Sequence, residues 1–252
     1  MQPIIIALTG KGGVGKTSVS ATIVKILTEK YPDKKILAID ADPAIGLATA
    51  LGVMPKITLD DIRNKIIDSV ENGNTKDAME LVSESRYKIY DAIVQKDGFA
   101  FLAIGRPESE GCYCRINSYL KNVIEMVSNQ FDYVVIDGEA GIEQINRRVM
   151  QKVTHLLLIS DSSRKGIEVI KTIHKVAGRM VDYDKVGAVF NRVEDISLLG
   201  NVDIGEIKQL GVIHSDENVL QYDAGGRSFI ELPEDTAVVL EMKKVLHNFN
   251  IF

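Results

Sequence analysis

Short apolar runs alternate with helically spaced apolar faces along most of the chain. Ile4-Ile5-Ile6-Ala7-Leu8, Ile36-Leu37-Ala38-Ile39, Phe99-Ala100-Phe101-Leu102-Ala103-Ile104 and Tyr133-Val134-Val135-Ile136 are compact and bounded by Gly, Pro or charge. His155-Leu156-Leu157-Leu158-Ile159-Ser160, Lys185-Val186-Gly187-Ala188-Val189-Phe190 and Gly211-Val212-Ile213 repeat the pattern. Such continuous runs predict strands buried on both faces. Between them, Val19, Ile23, Ile26 and Leu27 mark a helix over 18–30, and Leu120, Val123, Ile124 and Val127 another over 116–127. Ile167, Ile170, Ile173 and Val176 mark a helix over 163–181, and a further helix is expected over Glu143–Lys152. The last, Pro233–Asn248, places Val238, Val239, Met242, Val245 and Leu246 on one face, as a helix packed on a core does. Strand and helix in turn predict an α/β fold, a doubly wound, mostly parallel sheet with helices on both faces, in one domain spanning 1–252. Residues 55–97 break the rhythm: a helical pattern at 59–67, turn residues at 71–74, then no clean period, read as a helical insertion.

Composition narrows the function classes. With 252 residues the chain can bury a sizeable core, and 30 basic against 35 acidic side chains leave a net charge of −5. No basic block is longer than a pair such as Arg147-Arg148, so nucleic acid is not the expected partner. The opening residues lack the charged start of a secretory leader, and no apolar run approaches the ~20 residues that span a bilayer, so a cytoplasmic protein with no membrane contact is expected. His155, His174, His214 and His247 have no ligand spacing among themselves and are read as structural or solvated.

The chemistry concentrates behind the first strand, in Gly10-Lys11-Gly12-Gly13-Val14-Gly15-Lys16-Thr17. Glycines let successive N–H groups turn inward, and the following helix aims its positive end at the same point, so a polyphosphate is the expected ligand. Gly10, Gly12, Gly13, Val14, Gly15, Lys16, Thr17 and Ser18 are the candidate nucleotide contacts. Lys16 would reach the β/γ-phosphates, and the Thr17 hydroxyl would ligate Mg2+. Tyr133 to Asp137 is an apolar strand ending in an acid, which places Asp137 near that Mg2+, and the Gly141 N–H could bond a γ-phosphate. Asp40 and Asp42 end the second strand at the edge where parallel sheets bind ligands, facing the phosphate loop if the strand continues.

Only two cysteines occur, Cys112 and Cys114, too close for an ordinary disulfide. Residues i and i+2 of an extended chain share a face, so the pair can grip one ion with half of a four-ligand shell, tetrahedral for zinc or square-planar for Ni(II).

The loop, with Lys11 as well as Lys16, resembles the deviant Walker A ATPases, the family of MinD, ParA and the nitrogenase iron protein. The resemblance implies that Lys11 crosses to the nucleotide of a second subunit, in a homodimer with ATP between the protomers. It implies a catalytic set of Lys11, Lys16 and Asp42, with Asp42 holding the attacking water, Asp40 supporting the Mg2+ shell, and Asn191, followed by Arg192, at the adenine. Ile104 to Glu108, Gly111 to Cys114 and Asp137 to Glu143 narrow it further, to the CooC-type nickel-insertion ATPases, from which MinD and ParA differ in lacking the C-x-C. On that likeness a two-fold dimer would bring Cys112 and Cys114 of both subunits together on Ni2+ or Zn2+. The client would be carbon monoxide dehydrogenase or acetyl-CoA synthase. The family often carries proline where His214 stands, a departure on the adenine side. A positioning ATPase like MinD or ParA, without a metal, is one alternative; an iron–sulfur cluster carrier like the nitrogenase iron protein is another.

Overall fold

Among the described residues an eight-stranded sheet carries the chain. It belongs to a computed structural model that describes residues 2–72, 87–106, 114–142, 145, 149–200 and 202–252. The strands are β1 (Ile4–Gly10), β2 (Ile36–Asp40), β3 (Val94–Lys96), β4 (Phe99–Ala103), β5 (Tyr133–Ala140), β6 (Lys152–Ser160), β7 (Asp182–Val193) and β8 (Lys208–His214). The helices are α1 (Lys16–Lys30), α2 (Gly46–Ala50), α3 (Leu59–Glu71), α4 (Cys114–Ser128), α5 (Arg164–Met180), α6 (Glu217–Ala224) and α7 (Ala237–Asn248). The strands lie in the order β3-β4-β2-β5-β1-β6-β7-β8, and every pairing is parallel except β3 with β4. The doubly wound, mostly parallel fold read from the sequence is the one observed.

Alternation within the strands divides the apolar side chains between the two faces. Ile6 and Leu8 of β1 belong with α1, α2 and α7 on one side, whereas Ala7 lies with α3, α4 and α5 on the other. Phe101, on β4, has no exposed surface, and shortening it to alanine would cost about 3–5 kcal/mol. Gly10, at the end of β1, shows how closely the central strands approach. A Cβ there would lie 2.0 Å from the Ile159 carbonyl oxygen, and backbone cannot move aside as a side chain can.

Four expectations need correction. Residues 55–97 are not all helical. After α3 and a helical stretch at 87–92, Val94–Lys96 forms an antiparallel edge strand, closed onto β4 by Asp97-Gly98 with Gly98 at φ 84. Aspartate followed by glycine is the turn that suits a two-residue hairpin, and that signal was there to be read. Second, the helix proposed over Glu143–Lys152 does not reach its stated end, because Lys152 begins β6; Glu143, Gln144, Asn146, Arg147 and Arg148 lie outside the described residues. Third, the last helix starts at Ala237, not Pro233. The Pro233 carbonyl accepts the Thr236 hydroxyl at 2.8 Å and the Thr236 amide at 3.2 Å, making a turn before the helix. Fourth, β8 is seven residues long rather than three, and α6 follows it with Asp216 capping its first turn.

Candidate functional site

β1 hands the chain to α1 through residues 11–15, where Gly13 and Gly15 take φ 80 and 84. Gly15 sits at the helix N-cap with no side-chain cap, so the first amides of α1 keep their donors for a ligand. Its Cβ position is already taken: an added carbon would lie 2.6 Å from Asn191 Nδ2 and 3.2 Å from Arg192 Nε. Both side chains lash the loop. Asn191 Nδ2 donates to the Val14 carbonyl at 2.8 Å, and Arg192 Nη1 to the Gly13 carbonyl at 3.2 Å, with Arg192 itself at φ 59. Their hydrogen bonds here are to the loop rather than outward to a base.

Lys16 is buried, with Nζ on the Lys11 carbonyl at 3.2 Å. Burial holds its pKa below the usual lysine value against the opposite pull of Asp137, Asp42 and Glu139. All three acids are thus near its ammonium.

Asp137 and Asp40 are register partners on β5 and β2. Asp137 is 1% exposed; Oδ1 accepts the Ser20 hydroxyl at 2.9 Å, and Oδ2 has no hydrogen-bond partner among the described residues. Burial pushes its pKa up to about 6, opposed by the Thr17 and Ser20 hydroxyls. An orphaned buried carboxylate oxygen beside a threonine hydroxyl offers the oxygen ligands that a hard cation takes, so these residues fit Mg2+. Asp40 has another occupation. Its carboxylate accepts the amides of Asp42 at 3.1 Å, Leu47 at 2.8 Å and Ala48 at 3.3 Å, pinning the loop after β2 and the start of α2. Burial first, and Asp137 second, raise it to about 7. Asp40 and Asp42 therefore do not project alike as a continued strand would require. The strand stops at Asp40, and Asp42 turns to accept the Ala44 amide at 2.9 Å, half-buried at the rim.

Raised carboxylate pKa values mean that the fold resists the two charges. That stabilising protonation is complete at low pH and is lost as pH rises through about 6 to about 7. The contribution of this pair should therefore lower the ligand-free Tm from about pH 5 to about pH 8. Asp137→Asn should raise the ligand-free Tm at the upper end, since the amide keeps the Ser20 bond without the charge, while abolishing stabilisation by Mg2+ with ADP. Calorimetry at both pH values checks both results.

Lys11 lies on its own protomer: Nζ reaches Asp161 Oδ2 at 2.7 Å and Ser163 Oγ at 3.3 Å. Burial alone would raise Asp161, but Lys11 and Ser163 outweigh it and hold the carboxyl below the usual range. With the two side chains 27% and 30% exposed, such a pair is worth under about 1 kcal/mol. Asp161→Ala should accordingly shift Tm by less than about 4 °C in a thermal melt. The lysine can leave this partner at little cost. Gly141, at φ 100, is held by the Thr9 hydroxyl, which donates to its carbonyl at 2.7 Å. Thr9, Ser20, Asp161 and Ser163 are site residues that the motifs do not mark, because their partners lie over a hundred residues away. His214 has the structural place expected of it, with its side chain 43% exposed: Nδ1 and the backbone amide meet the two oxygens of Glu241 at 2.7 and 2.8 Å, tying β8 to α7.

Cys112 lies outside the described residues, and of Cys114 only the backbone position, at the start of α4, is described. Among the described residues no group of three or more His, Cys, Asp or Glu could hold a metal ion, and no helix is long and apolar enough to cross a membrane.

A family model described as an AAA domain matches residues 2–184. The chain belongs to that family. Its relatives include an uncharacterized ATP-binding protein of Methanocaldococcus jannaschii, 34% identical over 96% of each chain. The carbon monoxide dehydrogenase accessory protein CooC of Rhodospirillum rubrum is 24% identical, covering 78% of this chain and 82% of CooC. Among solved structures, the septum site-determining protein MinD of Pyrococcus horikoshii, complexed with Mg-ADP, superposes with a TM-score of 0.69 at 20% identity, over 99% of this chain and 96% of that one. The resemblance to the wider ATPase family is thereby established, and the narrower one to CooC rests on a distant relative.

Proposed function

We propose that the chain is a single deviant Walker A ATPase domain whose nucleotide state opens and closes a homodimer, and with it a thiolate site that carries nickel or zinc. The observation that carries the ATPase reading is the phosphate loop, with buried Lys16 within electrostatic reach of Asp137, whose Oδ2 has no partner among the described residues. Lys16 binds the β/γ-phosphates of ATP as the loop amides surround them, Thr17 and Asp137 hold Mg2+ with Asp40 behind them, and Asp42 at the rim orients water for attack. Bound Mg2+ supplies charge neutralisation on the phosphates. Asn191 and Arg192 keep the loop in shape and border the base. Lys11 exchanges Asp161 for the nucleotide of the second protomer, and the Gly141 segment registers whether a γ-phosphate is present.

What supports the thiolate half is placement. The segment bearing Cys112 and Cys114 runs from the end of β4 to the start of α4, and β4 pairs with β2 at the register of Asp40 and Ala103. The described chain before it thus leaves the sheet at Ala103, at the nucleotide edge and on the strand next to Asp40. Two cysteines from each protomer would close a four-sulfur shell, with the metal as cargo for carbon monoxide dehydrogenase or acetyl-CoA synthase. The second reading, a positioning ATPase without a metal, is favoured by the fold likeness to MinD. Anaerobic equilibrium dialysis against Ni2+ or Zn2+ with and without ATP separates them. About one ion per two chains, held more tightly in one nucleotide state, supports the metal reading, whereas ATP hydrolysis with no retained metal supports the positioning one.

A further inference from the structure

Asp40 faces two directions. Its carboxylate holds the loop after β2 and the start of α2, while its carbonyl accepts the amide of Ile104 at 2.8 Å. The Ile104 carbonyl accepts the amide of Asp60, in the first turn of α3, at 2.9 Å. One turn along α3, Arg63 sends Nε to Asn117 Oδ1 at 2.7 Å, and Asn117 stands one turn after Cys114 on α4. A continuous path of backbone, helix turn and side-chain bond therefore joins the Mg2+ side of the nucleotide site to the helix that Cys114 opens.

The remaining core between these helices and the sheet is built from Ile62 and Ile66 of α3 and Leu120, Val123 and Ile124 of α4, all in one apolar cluster. Apolar contact has no direction and lets helices slide, whereas a guanidinium on an amide oxygen fixes both distance and angle. Arg63 is only 7% exposed, so its bond to Asn117 acts where water competes little.

We propose that Arg63, through its bond to Asn117, is a positioning residue that transmits the nucleotide-dependent setting of the loop after β2 to helix α4. The consequence for metal binding rests on the thiolate reading above; the transmission itself does not. Coupling of this kind needs a bistable element at one end and a rigid link from it. In this proposal the loop held by Asp40 takes one setting per nucleotide, and α3 is the rigid link.

Hydrogen exchange tests it in the full-length protein under Mg2+ with ATP or with ADP. In the wild type, amide exchange differs between the two nucleotides both at 46–50 in α2 and at 117–124 in α4. In Arg63→Ala and in Asn117→Ala the α2 difference persists and the α4 difference vanishes, with no further change in the double variant. Asn117→Asp presents the same oxygen to the guanidinium and retains the α4 difference, which separates transmission from mere loosening of the helix. Loosening would raise α4 exchange equally in both nucleotides. A wild type with no α4 difference, or alanine variants that keep it, overturns the proposal. Metal dialysis of the same samples reads the consequence separately. A nucleotide effect on affinity of about 5-fold or more in the wild type shrinks toward unity in the variants, while a wild type that holds no metal counts against the thiolate reading and leaves the exchange result to decide the coupling.

Discussion

Lys16→Ala is expected to lower kcat for ATP hydrolysis by at least about 10²–10³-fold, as removal of a single preorganised charge-stabilising donor does elsewhere. The reason lies in where the ammonium sits. It is buried, and among the described residues it touches no acid directly and hydrogen-bonds to the Lys11 carbonyl of the loop that it must serve. Asp137, Asp42 and Glu139 stabilise its charge from a distance without satisfying it. Such a group is ready for the developing negative charge on a phosphate and needs no rearrangement to meet it. Thermal melting of the variant controls for folding, since the alanine leaves α1 with a good helix former at its first position. A variant that turns over ATP at the wild-type rate would contradict the assignment.

The second large effect concerns the cysteines. Replacing Cys112 and Cys114 together with alanine is expected to abolish retention of Ni2+ or Zn2+ under anaerobic dialysis while leaving ATP hydrolysis at the wild-type rate. Thiolate shells bind zinc with apparent free energies of about 10–16 kcal/mol, so the loss is of the whole site rather than a shift in affinity. Each single variant should fall most of the way, because two sulfurs from a dimer leave an open, weak shell. Retained metal in the double variant would place the ion elsewhere, and slowed hydrolysis would show that the segment serves the nucleotide instead.

How much of this was legible in advance depended on the separation of the partners. The phosphate loop is contiguous, so its glycines, Lys16 and Thr17 announce themselves, and the buried strands follow from simple runs of apolar residues, although β5 runs on past Asp137, where the apolar run stops, to Ala140. The pairing of Asp40 with Asp137 across β2 and β5 is a matter of register between strands nearly a hundred residues apart. No local pattern encodes it. Lys11 with Asp161, Thr9 with Gly141 and His214 with Glu241 are likewise tertiary. The edge strand Val94–Lys96 was missed for a different reason: half-buried Val94 is followed by exposed Gln95 and Lys96, so it lacks the apolar signature of its neighbours and only the Asp97-Gly98 turn betrays it. Asp42 was misplaced because alternation was carried past Asp40, where Pro43 and the capped turn at Ala44 end it.

Nucleotide-gated assembly around a metal is the property on which the proposed function depends. Sedimentation velocity, run anaerobically with Mg2+, ATP and Ni2+ and followed at a nickel–thiolate absorption band as well as by protein absorbance, tests it most directly. The account predicts a species of two chains in which metal and protein move together, reverting to single chains with free metal when the nucleotide is withdrawn. Single chains under all these conditions, or a two-chain species whose boundary carries no metal absorbance, would contradict it.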